Sequence, residues 1–61
     1  MNPGDLVECK YNSVLFRMGD LGIILEEKIR FYTAHPHVVV LLLNGSKVTI
    51  PSIMLKVVSS A

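Results

Sequence analysis

The feature that most constrains the fold is a run of six aliphatic residues, VVVLLL at positions 38–43, followed directly by Asn44-Gly45. The run is too short for a typical helix and begins with three β-branched valines, so it predicts a β-strand. Asn-Gly suits a two-residue type I′ turn, in which both central residues need a positive φ. The alternating segment KVTI at 47–50 then predicts the second strand of a hairpin.

An apolar strand of this kind has two faces, and a short chain can hide only one of them. The chain has 61 residues, of which 51% are hydrophobic and 18% are charged, against roughly 25% charged residues in a typical domain. A domain of this size buries only about 60% of the surface that its unfolded chain exposes. The composition therefore predicts apolar surface that another molecule covers.

Two segments before the run also predict strands. Residues 6–11 alternate between apolar and polar side chains, which is typical of a half-buried strand. The segment 21–31 allows a helix from Leu25 onwards, because Glu26 and Arg30 are spaced for an i, i+4 pair. A period of two fits this segment at least as well, and its β-branched and aromatic content favours a strand that bends near Glu26 and Glu27.

The end of the chain predicts one short helical turn and a last strand. Pro51 ends the hairpin strand, because proline cannot donate to a strand ladder. Ser52 could cap a single helical turn that runs to Leu55, and residues 56–58 supply a short final strand. The prediction is one all-β domain over residues 1–61, with five short strands and no long helix.

Three stretches of the sequence resemble SH3-like small β-barrels of the KOW and Tudor type. GDLVECK at 4–10 resembles their first strand, GDLGIILE at 19–26 their second strand, and IPSIMLKVV at 50–58 their closing proline, helical turn and strand. The resemblance implies a single five-stranded SH3-like barrel with one short helical turn before the last strand. The chain has no tryptophan and lacks the aromatic and acidic signature of peptide-binding SH3 domains, so proline-peptide binding is not implied.

The compact layout is most similar to very small proteins of tailed bacteriophages, those of cyanophages and other contractile-tailed phages among them. This resemblance implies a structural component of a phage virion. The resemblance to KOW and Tudor domains also implies an alternative role in binding nucleic acid.

The predicted protein interface lies on the outer row of the apolar strand. In a small barrel, alternate side chains of a strand face inward and outward, and the sequence leaves open which of the two rows of strand 38–43 is the outer one. Three large aliphatic side chains left in water forgo roughly 5–9 kcal/mol, which is comparable with the whole stability of about 5–15 kcal/mol. We therefore expect a protein partner or a second copy to cover the outer row. The expected interface combines this row with two residues of the apolar loop at 12–18: Val38, Val40, Leu42, Phe16 and Met18.

The loop itself allows two interpretations. Its apolar side chains either close the mouth of the barrel or dock on a partner, and the sequence favours neither.

The alternative function is binding of RNA or single-stranded nucleic acid. The segment KIRFYTAHPH at 28–37 places Lys28 and Arg30 beside Phe31 and Tyr32, and aromatic side chains next to basic ones can stack on bases. The formal net charge is only +1, whereas neutralisation of phosphates supplies most non-specific affinity for nucleic acid. An exposed, charged strand edge explains the same residues without a ligand.

The sequence offers no catalytic constellation and no complete metal site. His35 and His37 could reach one ion, but a zinc site needs three or four protein ligands, and only Cys9 is a candidate for the third. Cys9 alternates with Val7 and is expected to pack as a small apolar side chain. We therefore expect a non-enzymatic protein with no cofactor, no metal ion and no small-molecule substrate.

The location expected from the sequence is the cytoplasm, or the virion if the chain is phage-encoded. Met1 is followed by turn residues instead of the basic and apolar segments of a signal peptide. The longest apolar run is far below the roughly 20 residues that a membrane helix needs, so no membrane partner is expected.

Overall fold

The fold is a five-stranded antiparallel sheet, seen in a computed structural model that describes residues 1–28 and 36–61. In chain order its elements are β1 (Leu6–Cys9), β2 (Leu21–Lys28), β3 (His37–Leu42), β4 (Lys47–Pro51), a single 3-10 turn (Ser52–Met54) and β5 (Leu55–Ser59). The strands are ordered β4-β3-β2-β1-β5 across the sheet. The predicted all-β class, the five strands and the short helical turn before the last strand are confirmed.

The two edges of the sheet do not meet. Within the described residues β4 pairs only with β3, and β5 pairs only with β1, so the hydrogen-bonded ladder is open. The turn between β4 and β5 is a 3-10 turn without a side-chain cap, so the predicted capping by Ser52 is wrong. The backbone N–H of Lys10 donates to the carbonyl of Met54 at 2.9 Å, which ties this turn to the end of β1.

One apolar cluster forms the core between the inner faces of the strands. Every strand and the loop between β1 and β2 contribute to it. Its members are Val7, Cys9, Phe16, Ile24, Val38, Val40, Leu42, Ile50 and Leu55. The predicted packing of Cys9 as a small apolar side chain is confirmed, because its side chain is 1% exposed.

The predicted outer row of β3 is the inner row, which corrects the expected interface. Val38, Val40 and Leu42 are at most 2% exposed, and Phe16 from the loop is buried with them. The cross-strand partners explain this orientation. Val40 lies opposite Val48 and Val38 opposite Ile50, whereas the residues between them lie opposite polar side chains of β4. These four predicted interface residues are not available to a partner, and Met18 alone is exposed.

The hairpin between β3 and β4 has a three-residue loop and not the predicted two-residue turn. Leu42 donates its N–H to the carbonyl of Ser46 at 2.8 Å, and Gly45 donates to the carbonyl of Leu42 at 2.9 Å. In this loop only Gly45 has a positive φ, of 93°. A turn followed by one left-handed glycine is the usual form of a three-residue hairpin. Asn44 keeps an ordinary backbone and accepts the N–H of Ser46 through Oδ1 at 2.8 Å.

A β-bulge bends β2 close to the predicted position. Ile24 lies opposite Val40 and Glu26 lies opposite Val39, so Leu25 is the extra residue of β2. A bulge bends its strand and increases the local twist. The start of β2, residues 21–23, pairs with β1, and residues 22–28 pair with β3 on the other side.

Candidate functional site

The exposure of the true outer row of β3 increases along the strand. Val39 is 5% exposed, Leu41 is 39% exposed and Leu43, just beyond the strand, is 69% exposed. The chain therefore covers the start of this row itself and leaves its end open. The open end lies beside the hairpin loop and the start of β2, since Leu43 donates its N–H to the carbonyl of Leu21 at 3.0 Å.

The loop between β1 and β2 adds apolar side chains at the same end of the sheet. Phe16 points into the core and anchors the loop. Val14 is fully exposed, and Leu15 and Met18 are more than half exposed. The first interpretation of this loop holds for Phe16, which closes the core, and docking on a partner stays a prediction for the side chains that face solvent. We call Val14, Leu15, Met18 and Leu43 the loop-end surface.

Polar side chains of the loop fix its backbone. Asn12 Oδ1 accepts the N–H of Met18 at 2.9 Å, Asp20 Oδ2 accepts the N–H of Arg17 at 2.9 Å, and Ser13 Oγ accepts the N–H of Leu15 at 3.3 Å. Such local bonds from Asn, Asp and Ser hold turns in one conformation.

Backbone bonds complete this frame. Within the loop, Ser13 donates its N–H to the carbonyl of Phe16 at 2.8 Å. At the base of the loop, Gly19 donates to the carbonyl of Cys9, and Cys9 donates to the carbonyl of Asp20, each at 2.9 Å. The exposed apolar side chains are thus presented on a preformed framework.

Two clefts lie between this loop and the hairpin. The larger has a volume of about 260 Å³, and its apolar wall is formed by Val14, Leu15 and Phe16. The smaller has a volume of about 60 Å³ and is lined by the side chains next to the turn, including Leu43. Asp20 and Asn44 line both clefts. The two clefts therefore adjoin at Asp20 and Asn44, and we call them together the loop-end groove.

Of the four residues predicted to bind nucleic acid, the structure describes one. Lys28 is exposed at the end of β2. Arg30, Phe31 and Tyr32 lie outside the described residues, so this alternative stays a prediction.

The cysteine and histidine residues form no reactive site among residues 1–28 and 36–61. Burial is the main cause that raises the pKa of the Cys9 thiol, and the charges of Asp20 and Glu8 raise it further. A raised pKa reduces the thiolate fraction that a nucleophile or a metal ligand requires. His37 is half-buried in β3 and His35 lies outside the described residues. No cluster of three or more potential metal ligands occurs in the described segments.

Comparison of the chain with protein-family models, with curated proteins and with solved structures finds no match. The functional interpretation therefore depends on the surface itself. In the two described segments, no helix has the length and apolar character needed to cross a bilayer.

The sequence pattern indicated Met18 but not the rest of the loop-end surface. Val14, Leu15 and Phe16 are consecutive in an apolar stretch without a clear period, so periodicity does not indicate which of them enters the core. Leu43 belongs to the row of β3 that was not included in the expected interface. The polar residues Asn12, Ser13 and Asp20 do indicate a structured loop, because side chains of these types form hydrogen bonds to the loop backbone.

Proposed function

We propose that this chain is a small, non-enzymatic protein-docking module that joins a larger protein assembly through its loop-end surface. The observation that carries the proposal is the concentration of exposed, large aliphatic side chains on a hydrogen-bonded loop and the hairpin facing it. Contiguous exposed apolar patches on small proteins mark interaction sites. The proposal keeps the docking role expected from the sequence and assigns it to the loop-end surface instead of the inner row of β3.

The fixed backbone of the loop lowers the cost of covering this surface with a partner. Burial of four large aliphatic side chains contributes up to about 6–12 kcal/mol. Association costs an estimated 4–15 kcal/mol, part of which is the ordering of loops and side chains. A loop that is already fixed by its own hydrogen bonds lowers that ordering cost. The preformed frame of residues 12–20 therefore makes this surface a better docking site than a disordered apolar loop of the same composition.

The charge of the chain supports a protein partner over a polyanion. The formal net charge is +1, and the larger cleft is lined by one base, Arg17, and one acid, Asp20. An almost neutral surface lacks the electrostatic attraction that dominates binding to nucleic acid. A phage virion, which the sequence resemblance implies, is one assembly of the proposed kind.

The test compares two variants that each replace two exposed aliphatic side chains by serine. The first carries Leu15→Ser and Leu43→Ser in the loop-end surface, and the second carries Ile53→Ser and Val58→Ser at exposed positions elsewhere. Each is immobilised and used to capture proteins from an extract of the source cells, with the unchanged chain in parallel. We expect a defined protein to bind the unchanged chain and the second variant in stoichiometric amount, and to be lost from the first.

Two outcomes contradict the proposal. One is a partner that binds the first variant as well as it binds the unchanged chain. The other is equal loss from both variants, which would place the contact outside the loop-end surface. Circular dichroism of each variant confirms that the sheet is intact before capture.

A further inference from the structure

We propose that two copies of this chain pack face to face through an apolar patch on the outer face of the sheet. The patch spans the three adjacent strands β1, β2 and β3. We call it the sheet-face patch, and its members are Leu6, Leu21, Ile23 and Leu41. It adjoins the loop-end surface but shares no residue with it, so the inference does not depend on the docking function proposed above.

The strand register places the four side chains next to one another. Leu6 lies opposite Ile23, and Ile23 lies opposite Leu41, so these three form one row across the sheet. Residues directly opposite each other in an antiparallel pair share a face, with Cβ atoms about 4.5–5.5 Å apart. Leu21 is two residues before Ile23 and therefore lies on the same face. Buried residues alternate with these positions along each strand, so the patch lies on the face that points away from the core.

The sheet-face patch is in part open to solvent. Leu41 is exposed, and the other three side chains are half-buried. All four are large aliphatic residues, and contiguous apolar surface of this kind is typical of an interaction site. In a single copy, part of this apolar surface therefore stays in contact with water.

Charged side chains of opposite sign border the patch on its two sides. On the β4 side, Lys47 lies opposite Leu41. On the β1 side, Glu8 lies opposite Leu21 and so shares the outer face. A surface with a base along one border and an acid along the other is complementary to a copy of itself turned by 180°. This complementarity favours a second copy of the chain as the occupant.

A twofold axis that runs parallel to the strands between β2 and β3 matches both the apolar and the charged residues. It places β2 of each copy over β3 of the other, and β1 of each copy over β4 of the other. Ile23 then faces Leu41 of the second copy across two sheets packed about 10 Å apart, and the same contact occurs twice, as in every isologous interface. Glu8 faces the Lys47 border of the second copy. Lys56, which lies opposite Glu8 on β5 of its own chain, falls outside the overlap.

The first test measures the mass of the purified chain by light scattering over a range of concentrations. We expect a dimer that dissociates on dilution. Leu41→Ser removes an aliphatic side chain from the centre of the contact, and this variant should be monomeric where the unchanged chain is dimeric. Val58→Ser changes an exposed position of β5 and should leave the dimer intact. Circular dichroism establishes that both variants keep the sheet.

A charge exchange tests the geometry without changing the aliphatic side chains. Glu8→Lys alone and Lys47→Glu alone each place like charges at both border contacts, so each should weaken dimerisation about tenfold. In an equimolar mixture of these two variants, a mixed dimer has opposite charges at both contacts and should form about as strongly as the unchanged dimer. The control replaces Lys47→Glu by Lys28→Glu, which has the same net charge and lies at the far end of β2. Its mixture with Glu8→Lys should dimerise more weakly, because only one of the two contacts then has opposite charges.

Three results would overturn the inference. They are a chain that is monomeric at every concentration, a dimer that Leu41→Ser leaves intact, and equal dimerisation of the two mixtures. The loop-end surface is unchanged in all of these variants, so the proposed function is tested separately. A monomeric chain that still captures a protein through Leu15 and Leu43 would reject the dimer and retain the docking role.

Discussion

At the scale of single residues, Gly22 is the position where the sheet tolerates least change. It lies opposite Leu42 in the ladder between β2 and β3. A Cβ atom at this position would lie 2.5 Å from Val40 Cγ1 and 2.9 Å from the carbonyl oxygen of Leu41. The second contact is with backbone, which cannot rotate away. Glycine is therefore required here by close packing, because its φ is not in the left-handed region.

We expect Gly22→Ala to destabilise the chain by about 1–3 kcal/mol, the usual cost of an extra methyl group in a packed core. The measurement is the free energy of unfolding in urea. The double variant with Val40→Ala removes the closest side-chain contact, so its destabilisation should be smaller than the sum of the two single changes. Additive effects would show that the methyl group is accommodated without contact to Val40.

Asp5 is a second residue whose role follows from its hydrogen bonds. Its side chain is buried, with Oδ1 accepting the N–H of Ala61 and Oδ2 accepting the N–H of Asn2, each at 2.9 Å. These bonds, first that of Ala61 and then that of Asn2, lower the pKa of the carboxyl below its ordinary value of 3.8. Because the folded pKa is the lower one, the stabilisation is complete above pH 3.8 and is lost as the pH falls through the folded pKa.

We expect Asp5→Asn to reduce the free energy of unfolding at pH 7, because the amide NH₂ group cannot accept a hydrogen bond. The difference from the unchanged chain should shrink as the pH falls from 3.8 through the lower pKa of the folded state, because the Asp5 carboxyl then becomes protonated and loses its charge. Urea unfolding at pH 7, 4 and 2 measures this. Glu27→Gln, which removes an exposed carboxylate of β2, serves as the control, and an equal pH profile for the two variants would refute the role of Asp5.

At the scale of elements, the hairpin loop decides which face of β3 enters the core. A two-residue turn at Asn44-Gly45 would place Leu41 opposite Val48, so that the row of Leu41 would face inward. The observed three-residue loop places Leu41 opposite Lys47. A shift of one residue moves every side chain of a strand to the other face. The Asn-Gly pair favours the shorter turn, and the expected turn and the expected outer row are thus wrong in the same sense.

The strands themselves were predictable because their signals are local. The aliphatic run, the alternation of residues 47–50 and the proline at position 51 each indicate an element without reference to the rest of the fold. The side chain that the loop inserts into the core is not a local property. The backbone conformation of the loop directs Phe16, and not Val14 or Leu15, into the core. This conformation depends on contacts with β1 and β2. This is why the sequence did not indicate that Phe16 is buried while Met18 is exposed.

The conformation of the hairpin loop leads to a prediction for the stability of substitutions at position 45. Gly45 has a φ of 93°, and a left-handed backbone costs most residues about 1–2 kcal/mol. We expect Gly45→Ala to destabilise the chain by about this amount, and Gly45→Asn to cost less because asparagine tolerates the left-handed region. A Cβ atom at this position would have no heavy atom within 4 Å beyond its chain neighbours, so steric contact does not contribute. Thermal unfolding of both variants measures the difference, and equal destabilisation would contradict the assignment.

At the scale of the whole molecule, the apolar residues are divided between a core and several exposed positions, among them the loop-end surface. The inner row of β3 is sealed by the other strands, and the outer row is covered at its start and open towards the hairpin. Two adjacent leucines mark the boundary, since Leu42 is 2% exposed and Leu43 is 69% exposed. The side chain of Leu42 thus stabilises the core, whereas the identical side chain of Leu43 lies at the surface.

This boundary gives the most direct test of the fold and the site together. We expect Leu42→Ala to lower the free energy of unfolding by about 2–5 kcal/mol, because it leaves a cavity in the core. Leu43→Ala should change it by no more than about 0.5 kcal/mol, as is usual for exposed positions. Urea unfolding of the isolated chain measures both. If Leu43→Ala is the more damaging, the row of Leu41 and Leu43 packs inward and the loop-end surface is not exposed. If the expected order holds, the aliphatic side chain at position 43 is dispensable for folding and free to contact a partner.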